Sequence, residues 1–156
     1  MNPKISVLND TSSVVTEYLG KWLWDSLNYE EANFSLDNMM KILGELCSCD
    51  RTYVFEINYM ENTFSNTYEW CSERVTPQKD ILQNESLNLV DYWIEMFKQK
   101  KPVIIHDVED IKSEYPHMYA TLKPQDITSL VSAPIYLQDK LVGFLGIDNP
   151  AYLWED

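Results

Sequence analysis

The sequence predicts an α+β domain, an antiparallel sheet with its helices segregated from the strands. Apolar residues recur every three to four positions before Arg51, and the period drops to two between Arg51 and Cys71. Two further β-rich runs follow between Ile127 and Asp148. The strict alternation of strand and helix that builds a doubly wound parallel sheet does not occur.

The first periodic segment is Thr11–Leu27, where Val15, Tyr18, Leu19, Trp22, Leu23 and Leu27 share one helical face behind an Asp10 N-cap. A polar, acidic linker leads to a second helix. Ser35 is placed to cap it, Asp37 suits the positive end of its dipole, and Leu36, Met39, Met40, Leu43, Leu46 and Cys47 form its stripe. From Arg51, Tyr53, Phe55, Ile57 and Tyr59 point one way and their neighbours the other. After a turn at Met60–Asn62, simple alternation puts Phe64, Asn66, Tyr68 and Trp70 on one face and Ser65, Thr67, Glu69 and Cys71 on the other. Two such runs so close together read as a hairpin.

Ser72–Glu85 contains Pro77 and many polar residues and reads as loop. Leu87, Val90, Trp93, Ile94 and Phe97 mark a third helix, whose basic end near Lys98–Lys101 complements a helix C-terminus. Pro102 stops it, and Val103–His106 is a short strand. The stretch from Asp107 to Asp126 is irregular, with a helical piece at His117–Leu122. Ile127–Leu137 and Leu141–Asp148 form the second hairpin, in which Gly143 and Gly146 suggest close backbone approach by a neighbour.

Composition excludes several partners. Twelve basic residues against twenty-five acidic ones give a net charge of −13, a field that repels nucleic acid phosphates and anionic membrane surfaces. No stretch approaches the ~20 apolar residues of a spanning helix. The start, Met1–Asp10, has neither the basic nor the apolar part of a secretion signal. Three cysteines without framework spacing read as reduced thiols, which places the chain in the cytoplasm.

Catalytic constellations are scarce. The two histidines, His106 and His117, make no multi-histidine metal site, so no metal is expected. His106 and Asp107, as neighbours on a strand, point to opposite faces and form no dyad. Cys47 and Cys49 form C-x-C, and four glycines leave no phosphate-cradling loop. The chain is therefore expected not to be an enzyme.

The final hairpin carries a family resemblance. Ser129–Leu130–Val131–Ser132–Ala133–Pro134–Ile135 followed by Gln138–Asp139–Lys140–Leu141–Val142–Gly143–Phe144–Leu145–Gly146–Ile147–Asp148 resembles the last hairpin of GAF domains. Leu36–Arg51 with Tyr53–Val54–Phe55–Glu56 is similar to the family's first helix and strand, and Val103–Ile104–Ile105 with Asp107–Val108 to its central loop. The resemblance covers Ser35 to Pro150, and a PAS-like sheet is the competing pattern.

What the resemblance implies is an antiparallel five- or six-stranded sheet with helices on one face and a cap of short helices and loops on the other. Residues 1–34 become a linker and signalling helix, and 35–156 a sensor domain lacking the family's closing helix, as in a fragment of a larger protein. Such modules bind a small molecule under the cap, or dimerise, and relay a signal to a covalently linked output domain. The ligand-lining expectation is Trp70, Asp107, His117, Tyr119 and Ser129, and the homodimer expectation is Val15, Tyr18, Leu19, Trp22 and Leu23. The alternative is a ligand-free structural module, GAF or PAS-like, that only dimerises; a GAF-fold enzyme is the third reading. No cofactor carries over. The cyclic-nucleotide signature Asn-Lys-Phe-Asp-Glu is missing, and Cys71 is followed by Ser72 on a strand, unlike the His-flanked cysteine of bilin binders. No cysteine occurs after Cys71, unlike the methionine sulfoxide reductase branch.

Overall fold

The computed structural model of the protein describes residues 32–151. The helix expected at Thr11–Leu27, and with it the interface expectation, lies outside the described residues. Helix α1 spans Ala32–Cys47 and starts one turn earlier than the Ser35 cap implied. Met40 on its stripe is fully buried, and its carbonyl accepts a 2.7 Å hydrogen bond from the Thr52 hydroxyl. The helix ends where Ser48 turns into the left-handed region (φ 45°), and the Cys49 N–H returns to the Gly44 carbonyl at 3.2 Å.

Six strands make one sheet: β1 (Arg51–Asn58), β2 (Thr63–Cys71), β3 (Glu85–Ser86), β4 (Val103–Ile105), β5 (Leu130–Leu137) and β6 (Lys140–Asp148). Their order is β3-β2-β1-β6-β5-β4, and every neighbouring pair is antiparallel. The expected architecture is therefore found. Glu85, expected in a loop, pairs instead with Phe64 at the sheet edge. The β5–β6 turn passes through Gln138 and Asp139, both at positive φ as a type I′ hairpin turn requires.

Helix α1 covers one face of the sheet. The other face is roofed by helix α2 (Asp91–Lys98), helix α3 (Pro116–Leu122) and three single turns of 3₁₀ helix at 87–90, 108–111 and 123–125. Between this cap and the sheet lies the aromatic core. Phe144 of β6 sits at its centre, stacked on Phe55 at 5.1 Å and touched by the rings of Phe64, Trp93 and Phe97. The Trp93 indole N–H donates to the Met118 sulfur at 3.0 Å, tying α2 to α3.

One irregularity changes which residues face the core. Along the β1–β2 ladder, Val54 pairs with Tyr68 but Phe55 pairs with Asn66, so Thr67 is an extra residue in β2. This is a β-bulge, and past it the alternation of faces inverts. Phe64 and Asn66 point toward the cap, as alternation requires. Beyond Thr67 it is Glu69, not Tyr68 or Trp70, that turns toward the cap. Trp70 goes to the α1 side, where a Cβ on Gly44 would lie 2.1 Å from its ring, so a glycine is needed for the helix to press onto the indole. The expected close approaches at the last hairpin are also present: a Cβ on Gly146 would lie 2.0 Å from the Tyr53 ring, and one on Gly143 2.3 Å from the Phe55 carbonyl oxygen.

Candidate functional site

The ladders place Arg51, Tyr53 and Phe55 of β1 level with Asp148, Gly146 and Phe144 of β6, all on the cap-facing side. The bulge adds Glu69 from β2. The result is a charged knot at one end of an aromatic chamber. Arg51 is only 3% exposed. Its Nη1 donates to Asp148 Oδ2 at 2.9 Å and to Gln125 Oε1 at 3.4 Å, and its Nη2 donates to the Thr76 carbonyl at 3.0 Å. The Tyr53 hydroxyl donates to the other Asp148 oxygen at 3.0 Å. Glu69 accepts from Asn66 Nδ2 at 3.1 Å and from the backbone N–H groups of Gln78 and Lys79 at 2.9 and 3.0 Å. It thereby fastens the 72–84 loop over the knot.

Burial dominates the electrostatics. It pushes the Asp148 carboxyl up to about 7, against the downward pull of the Arg51 guanidinium and the Tyr53 hydrogen bond. It also raises the Tyr53 phenol well above its ordinary value, and the Asp148 charge adds to that rise. For the thiols the same cause acts: burial, with Cys47 and Asp148 nearby, pushes Cys49 up to about 12, and Cys47 and Cys71 are also raised. None of the three is poised as a thiolate.

Two spaces meet at the knot. The inner one is a chamber of ≈ 60 Å³ walled by Tyr53, Phe55, Phe64, Trp93, Phe144 and Met118, with Asn66, Glu69, Arg51 and Asp148 at its polar end. The outer one is a polar cleft of ≈ 340 Å³ between the 72–78 segment and the 124–127 turn, lined by Asp50, Arg74, Thr76, Gln125, Asp126 and Asn149. Arg51, Gln78, Gln125, Ile127 and Asp148 border both. Asn149 holds the cleft's rim: its Oδ1 accepts from the N–H groups of Thr128 and Ser129 at 2.7 and 3.1 Å, and its Nδ2 donates to Asp50 at 2.7 Å.

None of the five residues expected from the sequence to line a pocket borders the inner chamber. Trp70 lies on the α1 face. Asp107 caps the turn at 108–111, accepting from the Glu109 N–H at 2.9 Å. His117 is exposed, and the Tyr119 hydroxyl donates to the Glu109 carboxylate at 3.1 Å on the outside of the cap. The Ser129 carbonyl accepts from the Asn149 N–H at 2.8 Å, and its own N–H bonds the Asn149 side chain. The structure instead assembles Arg51, Asn66, Glu69 and Asp148. Arg51 and Asp148 were visible as charges in the apolar phase of their strands; the bulge hid Glu69.

The GAF domain profile matches residues 35–156. This chain belongs to the GAF domain family. A relative among well-described proteins is the methanogenesis regulatory histidine kinase FilI of Methanothrix harundinacea (strain 6Ac), 29% identical over 133 residues. That match takes in 79% of this chain and 14% of the kinase, so this GAF domain spans a small part of the relative's length. Among solved structures, the blue-light absorbing form of the Thermosynechococcus elongatus PixJ GAF domain superposes with a TM-score of 0.64 at 18% identity, over 78% of this chain and 71% of that one. The phycocyanobilin-bound GAF domain of a cyanobacterial phytochrome gives 0.64 at 16% identity, over 100% of this chain and 84% of that one. At these identities the structures share the GAF fold.

Proposed function

We propose that this GAF domain is a non-catalytic sensor, which binds a small molecule between the sheet and the cap and relays its presence to an output domain in a larger signalling protein. The observation that carries the reading is the chamber's chemistry: an aromatic wall with a few convergent polar groups at one end, as small-molecule sites are built. Likeness to a segment of a regulatory histidine kinase supports the signalling half. In this reading residues 1–34 supply a signalling helix and 35–156 the sensor. Self-association through Val15, Tyr18, Leu19, Trp22 and Leu23 brings two copies together. Free thiols at Cys47, Cys49 and Cys71 suit a reducing cytoplasm. Among the described residues no helix is long and apolar enough to cross a membrane.

The bilins of the photoreceptor GAF domains do not fit this chamber. Its ≈ 60 Å³ is far below the size of a tetrapyrrole, and no cysteine lines it. The same small volume, with four rings packed around Phe144, favours a second reading: a structural GAF domain that dimerises and transmits without a ligand. A thermal-shift screen of small molecules separates the two. Leu89 also lines the chamber, so the sensor reading expects a compound that raises the melting temperature of the chain and loses its effect in Leu89→Trp, which fills the chamber from its wall. A screen in which every stabiliser acts equally on both proteins supports the structural reading.

A further inference from the structure

Two atoms at the polar end of the chamber are buried without a hydrogen-bond partner: Nε of Arg51 and Oδ1 of Asn66. Both side chains are almost sealed, at 3% and 1% exposure. Everything around them is committed. Nη1 and Nη2 of Arg51 are bonded to Asp148, Gln125 and Thr76, and Nδ2 of Asn66 to Glu69. The Arg51 Nε–H has Glu69 Oε1 at 3.6 Å, too distant for a hydrogen bond, and the Cys71 thiol that the Arg51 side chain also meets is a weak acceptor. Asn66 Nδ2 bonds the same Oε1 of Glu69 at 3.1 Å, so the two side chains that carry the open donor and the open acceptor converge on one carboxylate oxygen. Buried polar groups are rarely left in this condition, and an open pair on two side chains that line a cavity points to a group that reaches them from it.

Resting on the reading of the chamber as a ligand site, we propose that it takes a neutral amide or urea group, whose carbonyl accepts from Arg51 Nε–H and whose N–H donates to Asn66 Oδ1. A carboxylate fails on both counts. It offers Asn66 no donor, and the knot already sets two carboxylates against one guanidinium. An ammonium offers Arg51 no acceptor and faces a like charge. The volume agrees in scale: one water occupies roughly 10–15 Å³ of such space and benzene about 150 Å³, so ≈ 60 Å³ suits a planar group of a few heavy atoms. The rest of a larger ligand has a route outward past Gln125, whose 3.4 Å bond to Arg51 is the longest at the knot, into the polar cleft.

The test is a titration of the ¹⁵N-labelled chain with acetamide and N-methylurea beside acetate, methylammonium and isopropanol, each to about 100 mM, the weak range that ligands of so few heavy atoms occupy. The readouts are the Arg51 Nε–H, Asn66 side-chain and Trp93 indole resonances. Expected are saturating shifts with the two amide-type probes, at least tenfold weaker response to the other three, and at least a tenfold loss of acetamide binding in Asn66→Ser. Should Asn66→Ser fail to fold, the ranking of probes on the wild type decides. Acetate or isopropanol binding as well as acetamide overturns the amide assignment and leaves the ligand site standing. No shift at these resonances with any probe overturns both.

Discussion

At Arg51 a guanidinium is held almost out of water between Asp148 and Glu69, and much of the site's behaviour follows from that placement. Removing the cation deprives buried Glu69, and Asp148 in its charged form above about pH 7, of their counter-charge, so Arg51→Ala should destabilise the fold by about 3–5 kcal/mol at pH 8, read from urea unfolding midpoints. Joint replacement with Glu69→Gln and Asp148→Asn should restore part of that loss; no recovery would show that Arg51 acts through packing alone. Asp148 sets a pH dependence. Burial lifts its carboxyl from an ordinary 3.8 to about 7, so between those values the folded chain holds a proton that the unfolded chain has released. The stability this contributes is complete below about 4 and is lost as pH rises through about 7. The unfolding free energy of the wild type relative to Asp148→Asn should therefore fall across that window. A difference that stays flat, or rises with pH, contradicts the assignment. The thiols, all raised by burial, should be dispensable: replacing Cys47, Cys49 and Cys71 together by Ala should leave ligand-induced thermal shifts unchanged.

Among the elements, β2 decides both what the sequence shows and what it hides. Hydrophobic period and turn chemistry made α1, the two hairpins, α2 and the strand at 103–105 legible as elements, because a periodic run announces an element even where it does not fix which residues face inward. The bulge at Thr67 breaks the period with no glycine or proline to announce it. One inserted residue moves Trp70 from the expected ligand wall to the α1 face and turns Glu69 inward. The expected residues of the cap lie away from the chamber for a related reason. Asp107 caps a single 3₁₀ turn, and His117 and Tyr119 lie on the short helix α3, where side-chain direction depends on how so short an element is seated and not on spacing alone. The contact between Gly44 and Trp70 offers a check on the corrected register. Gly44→Ala should destabilise by about 1–3 kcal/mol through overpacking, in spite of alanine's better helix propensity. Pairing it with Trp70→Leu should remove most of that penalty. An undiminished penalty in the double variant would place the indole elsewhere.

Across the whole molecule, the sheet separates two roles: its α1 side is packed against a helix, and its cap side encloses the chamber and the knot. In the sensor reading, a ligand that lifts the cap would act on Arg51, Gln125 and the loop that Glu69 fastens, all of which join cap to sheet. Transmission requires a second element, and the apolar stripe of residues 11–27 is the candidate. The intact chain should sediment as a dimer at micromolar concentration and Trp22→Glu as a monomer; a monomeric wild type would remove that route. The most direct test of a ligand-binding GAF domain is a native mass spectrum of the purified chain. The sensor account predicts a discrete added mass that is released on unfolding and is missing from Leu89→Trp, while a bare chain mass after incubation with concentrated cell extract, under conditions that preserve a control complex, would contradict it.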